Sequence, residues 1–194
     1  TSLSFDGVTN TSSGMIVINS SLLAQDFTNN GVFVLNSGGS FDNNANDLVS
    51  GGGSRSTINS GGMLFLSDGT AWELNGALLV NNGEINGPVD VNYGSLAKGG
   101  GNFAGAVNVN DGGKFSPGNS PGTATLGAAS FGAGGAYLFE LNDANGSPGD
   151  GIDFIQITGG LDIMAGVTAN SRFTIHITSL DASNQPGPAA NFDP

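Results

Sequence analysis

The chain has 194 residues and a formal net charge of −12, from four basic and sixteen acidic side chains. This length suffices for one solenoid or sandwich with a real core, and the charge would repel phosphate backbones and anionic lipid surfaces, so nucleic-acid binding is excluded. Because Gly accounts for 34 residues and Glu, Lys and Arg together for only seven, the residues that usually cover helix surfaces are scarce and an all-β fold is indicated.

The composition also excludes cysteine-based sites and gives no sign of a membrane-spanning helix. The absence of cysteine removes disulfide bonds and thiolate metal sites. No stretch approaches the roughly 20 consecutive apolar residues of a membrane-spanning helix, so no membrane insertion is expected in this segment.

Residues 1–14 are a polar segment that precedes an apolar strand. A solenoid exposes unpaired backbone at each end unless a cap covers it, and no amphipathic cap is evident at either end. We therefore expect residues 1–14 to be available for donation to a neighbouring copy by strand addition. The assembly residues predicted at this end are Met15, Ile16, Val17 and Ile18.

Residues 15–115 carry an internal repeat of about 18 residues. Val89 and Val91 recur as Val107 and Val109, and they alternate with polar residues, as strands with one buried face do. Glycines recur at the same spacing in three columns: Gly69, Gly87 and Gly105; Gly76, Gly94 and Gly112; Gly83 and Gly101. If each unit is one turn of a coil, equivalent strands stack in parallel about 4.8 Å apart. The sequence predicts a parallel β-solenoid (β-helix) with about 18-residue rungs.

Residues 116–180 show a different pattern. A double turn at 116–122 is followed by longer apolar strands at 136–141, 152–157, 161–164 and 172–177, which predict wider rungs or a small terminal sheet. Residues 181–194 hold three of the seven prolines and few apolar side chains, so they are expected to form a loop or linker.

An acidic loop within this region is the best metal candidate. Its residues are Asp143, Asn145, Asp150 and Asp153, and the run from Gly149 to Ile155 matches most of the nonapeptide calcium repeat. Calcium sites of that kind are shared between tandem repeats, whereas this run occurs once. The alternative is that Asp153 is an ordinary residue at the entry of a strand.

Other chemical motifs favour structural interpretations. Residues 118–122 match a G-x-S-x-G string without the following helix, and residues 99–104 match a dinucleotide string at a rung corner. His176 is the only histidine and is expected to face solvent on a strand. No catalytic residues are predicted, and the protein is not expected to be an enzyme.

Charged and aromatic side chains show no site along the sequence. The carboxylates are mostly isolated at turns, and the basic residues Arg55, Lys98, Lys114 and Arg172 show no clustering. Trp72 and Tyr93 are the residues from which a carbohydrate platform could be built, with placement in the core as the alternative.

Three runs carry a family resemblance: residues 112–126, 137–141 and 151–159, of which the Ser116–Thr123 segment "SPGNSPGT" is the most specific. They resemble bacterial autotransporter-type passenger repeats, above all the exported proteins sorted by a PEP-CTERM tail. The resemblance implies an extracellular or surface-attached β-helical protein of an exopolysaccharide-producing Gram-negative bacterium, with a structural or adhesive role and no catalytic residues.

These observations lead to one main hypothesis and two alternatives. The main hypothesis is an extracellular structural protein that assembles with itself, head to tail, into a fibre, biofilm matrix or surface layer. The first alternative is a β-helix that binds or cleaves carbohydrate, with exopolysaccharide as its partner. The second is a calcium-dependent adhesin.

Overall fold

The computed structural model describes residues 3–163, 168 and 171–193. In this part of the chain the regular structure consists of β-strands alone. In chain order they are β1 (Leu3–Phe5), β2 (Val8–Asn10), β3 (Met15–Ile18), β4 (Ser21–Ala24), β5 (Phe27–Asn29), β6 (Val32–Leu35), β7 (Ser40–Asn43), β8 (Leu48–Ser50), β9 (Arg55–Ile58), β10 (Met63–Leu66), β11 (Trp72–Leu74), β12 (Leu78–Asn81), β13 (Glu84–Asn86), β14 (Val89–Val91), β15 (Leu96–Gly99), β16 (Asn102–Val109), β17 (Lys114–Pro117), β18 (Thr123–Phe131), β19 (Ala136–Leu141), β20 (Phe154–Ile157), β21 (Leu161–Asp162) and β22 (Thr174–Ser179).

The strands wind into a coil with three faces, and every named strand pair is parallel. The first face stacks β1, β4, β7, β10, β13, the start of β16, the start of β18, and β20. The second face stacks β2, β5, β8, β11, β14, the end of β16, the end of β18, and β21. The third face stacks β3, β6, β9, β12, β15, β17, β19 and β22. The predicted parallel β-solenoid is confirmed.

The coil length varies along the stack. Leu78 pairs with Leu96, which pairs with Lys114, so these coils have the predicted 18 residues. Val32 pairs with Arg55, which pairs with Leu78, at a spacing of 23 residues. The extra residues lie in the corners, since residues 59–62 separate β9 from β10 whereas only residues 82–83 separate β12 from β13. An 18-residue rung therefore describes only part of the solenoid.

The interior is filled by stacked apolar columns. Phe27, Phe33 and Phe41 are buried and contact one another with ring centroids 5.0–5.4 Å apart, and Trp72 meets Phe33 edge-on. Such tilted and edge-to-face pairs are the favoured geometry of aromatic rings. The columns continue further along with aliphatic side chains and with Phe103, Phe115 and Phe131, which gives the solenoid one contiguous core.

The coil begins upstream of Met15. Strand β1 pairs with β4 and β2 pairs with β5, so residues 3–10 already form two faces of the first coil. The Val8 N–H, for example, donates to the Asp26 carbonyl at 2.8 Å. Residues 3–10 are thus paired with their own chain, and only the outer edges of β1, β2 and β3 face away from it.

Two loops pack together beside the last coils. The Ala144 N–H donates to the Ala190 carbonyl at 2.9 Å, and the Ala190 N–H donates to the Asn142 carbonyl at 2.7 Å. Leu180 and Ala189 are buried at this contact. The segment that the sequence analysis assigned to a loop or linker is therefore docked, up to Asn191, on the loop at 142–151.

Candidate assembly surfaces at the two ends

The last coil ends both sheets. Among the described strands, β20 and β21 pair with β18 alone, and β22 pairs with β19 alone. Their outer edges therefore carry backbone N–H and C=O groups that no strand of the described chain pairs. Such edges are templates for pairing with another strand.

Interior columns reach the last coil and lie open there. Ile175 pairs with Tyr137, in the column of the fully buried Phe115, and Ile177 pairs with Phe139. Because side chains alternate across a strand, both isoleucines point to the inside of the coil. They are nevertheless 58% and 70% exposed, because no described coil covers them.

The other two faces show the same feature. Leu161 pairs with the buried Ala129 and is 52% exposed, and Ile163, two residues further on, is 57% exposed. On the first face Ile155 and Ile157 are half-buried against the core. We call the set Ile155, Ile157, Leu161, Ile163, Ile175 and Ile177 the open end; it is a cross-section of the apolar core.

The first coil presents a different surface. Asn10 and Ile18 are almost fully buried there, although Phe5 is 45% exposed. The Asn10 side-chain amide donates to Asn29 Oδ1 and to the Val32 carbonyl, both at 2.8 Å. This end therefore combines polar and apolar groups, whereas the open end is apolar.

The structure divides the four assembly residues predicted at the start of the chain. Ile16 and Ile18 pair with the buried Phe33 and Leu35 and point into the coil. Met15 and Val17, 65% and 42% exposed, lie on the outside of the third face.

The predicted calcium residues have other partners. Asp153 is buried, and its oxygens accept the N–H groups of Gly122 at 2.8 Å and Glu140 at 2.9 Å. Asp143 Oδ1 accepts the Asn145 N–H at 2.9 Å and the Asn191 amide at 2.7 Å. Among the described residues, no group of three or more His, Asp or Glu side chains is placed to hold a metal ion.

The pKa values of the two carboxylates are shifted in opposite directions. Burial raises the pKa of Asp153 to about 6, although its two backbone donors act in the opposite direction. The hydrogen bonds from Asn191 and Asn145 lower the pKa of Asp143. Each Asp153 oxygen thus accepts one backbone N–H from the neighbouring coil, and Asp153 lies just before β20.

Trp72 is not part of a carbohydrate platform. Its indole is fully buried, and Nε1 donates to the Ser50 hydroxyl at 3.0 Å inside the coil. Tyr93 is 79% exposed at a corner, so the two rings do not share a surface.

The remaining motifs occupy structural positions. Residues 118–122 form a turn between β17 and β18, so a strand follows the serine where a nucleophile elbow needs a helix. His176 lies on the exposed strand β22, with Nε2 at 3.3 Å from the Thr174 hydroxyl. Residues 99–104 cross from β15 into β16 without a helix.

No family model, curated protein or solved structure matches this chain. Within the described residues, no helix of the length and apolar character needed to cross a membrane is present.

Proposed function

We propose that this chain is an extracellular structural protein whose coils stack end to end on those of further copies, building a fibre or matrix layer. The observation that carries this proposal is the open end, where six interior apolar side chains meet solvent beside unpaired strand edges. Repeat proteins that remain separate in solution usually close their terminal repeats with a polar cap. The resemblance of residues 112–159 to exported passenger repeats supports an extracellular location.

The two ends are compatible as a junction. Both are formed by one strand on each of three faces, and stacking the first coil of one copy on the last coil of another preserves the parallel strand direction. Each junction would pair three strand edges and cover the open end. Hydrophobic burial contributes about 25 cal/mol per Å² of apolar surface, so the exposed isoleucines and Leu161 supply the main driving force.

Negative-stain electron microscopy across a dilution series tests the proposal. We expect filaments one solenoid wide for the wild-type protein, with lengths that grow with concentration. Uniform short rods at every concentration would contradict end-to-end stacking. Filaments that vanish on calcium chelation would contradict stacking through apolar contacts and strand edges alone.

Two variants of neighbouring residues sharpen the test. Ile177→Lys places an ammonium group in an interior column, where a junction would bury it without a partner, at a cost of several kcal/mol. We expect the concentration needed for filaments to rise at least about tenfold, which corresponds to about 1.4 kcal/mol.

Thr178→Lys is the matched control. Thr178 is exposed on the same strand but lies on the outer side, where a lysine stays in water. We expect it to form filaments as the wild type does. Because both positions are exposed, both variants should keep the wild-type circular dichroism spectrum. If the two variants change filament formation equally, the junction does not lie at the open end.

A further inference from the structure

The basic side chains converge on the third face. Arg55 on β9, Lys98 on β15 and Lys114 on β17 point outward from it, and His176 lies on β22 of the same face. Arg172 lies at the adjoining corner, where its carbonyl accepts the Gly134 N–H. These residues do not cluster along the sequence, but the coil places Arg55, Lys98 and Lys114, which are 16 to 59 residues apart, on one face.

The acidic side chains lie almost entirely elsewhere. Of the sixteen Asp and Glu residues, Glu140 alone belongs to a strand of the third face. On the strands of this face three cations stand against one carboxylate, although the chain has a net charge of −12, and Lys98 also acts on the nearby buried Asp153, whose pKa it lowers against the effect of burial.

Apolar residues separate the cations on this face. Leu78 pairs with Arg55 on one side and with Leu96 on the other, and Leu96 pairs with Lys114, so the four form one outward column. Two shallow depressions of about 450 Å³ each flank this column along the corner glycines, and exposed Tyr93 borders one of them. The face is thus a flat surface on which another molecule can bury apolar area between charged contacts.

The second face has the opposite character. Glu73 on β11 pairs directly with Asp90 on β14, so two half-buried carboxylates stand on adjacent strands. Their hydrogen bonds come from the neutral amides of Asn75 and Asn108, the latter 2.6 Å from Asp90. Like charges directly opposite each other in a sheet are destabilising by up to about 1 kcal/mol, and a facing pair of cations would reverse that effect.

We propose that the third face of one copy docks on the second face of another, with Lys98 and Lys114 facing Glu73 and Asp90. Lys98 and Lys114 lie on adjacent strands two residues out of register, since Lys98 pairs with Ser116 and Lys114 with Leu96, whereas Glu73 and Asp90 pair directly. Long lysine side chains can span this offset. Charge complementarity favours a second copy as the occupant, because the chain itself carries on its second face the adjacent carboxylates that these cations would meet.

The contact joins two different faces, so each docked copy still offers one free face of each kind. Contacts of this type continue instead of closing into a dimer unless a rotation returns to the start. The expected product is a side-by-side array, which adds a second direction of growth to end-to-end stacking. The two contacts use different residues and are tested separately.

Charge-swap variants test the side-by-side contact by sedimentation velocity in the Ile177→Lys background, at concentrations below those at which this variant forms filaments. In low salt we expect oligomers from this background alone, and monomers once either K98E/K114E or E73K/D90K is added to it. Mixing those two charge variants should restore oligomers, because each then supplies the face that is complementary to the other. Adding 0.5 M NaCl should reduce association at least about tenfold, since salt screens such contacts.

Two outcomes would overturn the proposal. Oligomers that both charge variants still form would show that the contact lies elsewhere. The second outcome is that no variant forms oligomers and that K98E/K114E loses the retention on immobilised polygalacturonate that the wild-type protein shows. That result would assign the face to an acidic polysaccharide. In either case the filament assay of Ile177→Lys against Thr178→Lys still decides end-to-end stacking independently.

Discussion

Asp153, just before β20, joins the last described coil to β18 and β19 of the preceding coil through a single buried carboxylate. Its oxygens accept the N–H of Gly122, just before β18, and of Glu140 in β19, and its own N–H donates to the Glu140 carbonyl at 2.9 Å. Burial outweighs these donors and raises its pKa to about 6, with Glu140 adding to the rise and Lys98 opposing it. The same carboxylate contributes to the raised pKa of the partly buried Tyr137.

This arrangement predicts a pH-dependent stability. Because the folded-state pKa lies above the ordinary value of 3.8, the contribution of Asp153 is complete below that pH and is lost as the pH rises through about 6. We expect the free energy of unfolding of wild type, relative to the Asp153→Asn variant, to fall between pH 4 and pH 7. Urea unfolding at both pH values measures it.

Asp150→Asn is the matched control, because Asp150 is exposed in the loop that leads to Asp153. The free energy of unfolding of Asp150→Asn should depend on pH as that of the wild-type protein does. Parallel pH profiles for wild type and Asp153→Asn would contradict the role given to the buried carboxylate.

Buried amides form a second residue-scale device. Asn29 accepts from Asn10, and its own amide donates to the Ser56 hydroxyl at 3.1 Å, all within the core. A buried polar group is costly unless it is paired, so this ladder favours one register between successive coils. The sequence shows these asparagines beside apolar residues without indicating which of them point inward.

At the scale of the element, the corners decide how closely coils can stack. A Cβ added to Gly83 would collide with the backbone carbonyl oxygens of Gly62 and Asn59 in the preceding coil. We expect Gly83→Ala to reduce the free energy of unfolding by about 1–3 kcal/mol, the usual cost of overpacking.

Gly7 provides the comparison for that substitution. An added Cβ at Gly7 meets no atom within 4 Å, and its φ is not in the left-handed region. Gly7→Ala should stay within about 0.5 kcal/mol of wild type. Chemical denaturation distinguishes the two; equal stabilities would mean that the corners yield easily to a larger residue.

The corners also explain how far the sequence could be interpreted. Coils joined by the two-residue corners at 82–83 and 87–88 keep a constant 18-residue phase, so the pairing of Val89 with Val107 could be predicted and is confirmed. Longer corners between β6 and β12 change the spacing between paired residues to 23. Arg55 and Lys98 lie on the same face because of that change, so a fixed 18-residue repeat could not predict it.

The acidic loop shows the other limit of sequence interpretation. A run of Asp and Gly near Asp153 has the residue types of a calcium repeat, but the partner of Asp153 that lies before β18, Gly122, is 31 residues away. Long-range contacts of this kind are what turn the carboxylate inward. The candidate assembly surface at the end of the coil was equally hidden, because Ile175 and Ile177 look like ordinary core residues.

At the scale of the whole molecule, charge and shape are both unevenly distributed. The last described coil presents an exposed apolar cross-section, and the strands of the third face carry Arg55, Lys98 and Lys114 against Glu140 alone, although the chain has a net charge of −12. Net charge of this size opposes non-specific association. Contacts are therefore expected only where apolar area or opposite charge is concentrated, which means end to end and side to side.

Amide hydrogen exchange of strand β22 tests the central claim most directly. In the dilute monomer no described strand pairs the N–H groups on its outer edge, whereas stacking on the first coil of another copy would pair them. We expect exchange of these amides to slow at least about tenfold once filaments form, with β12 in the middle of the stack as an unchanged internal reference. If filaments form and β22 exchanges as fast as in the monomer, the copies do not stack through the open end and the account is contradicted.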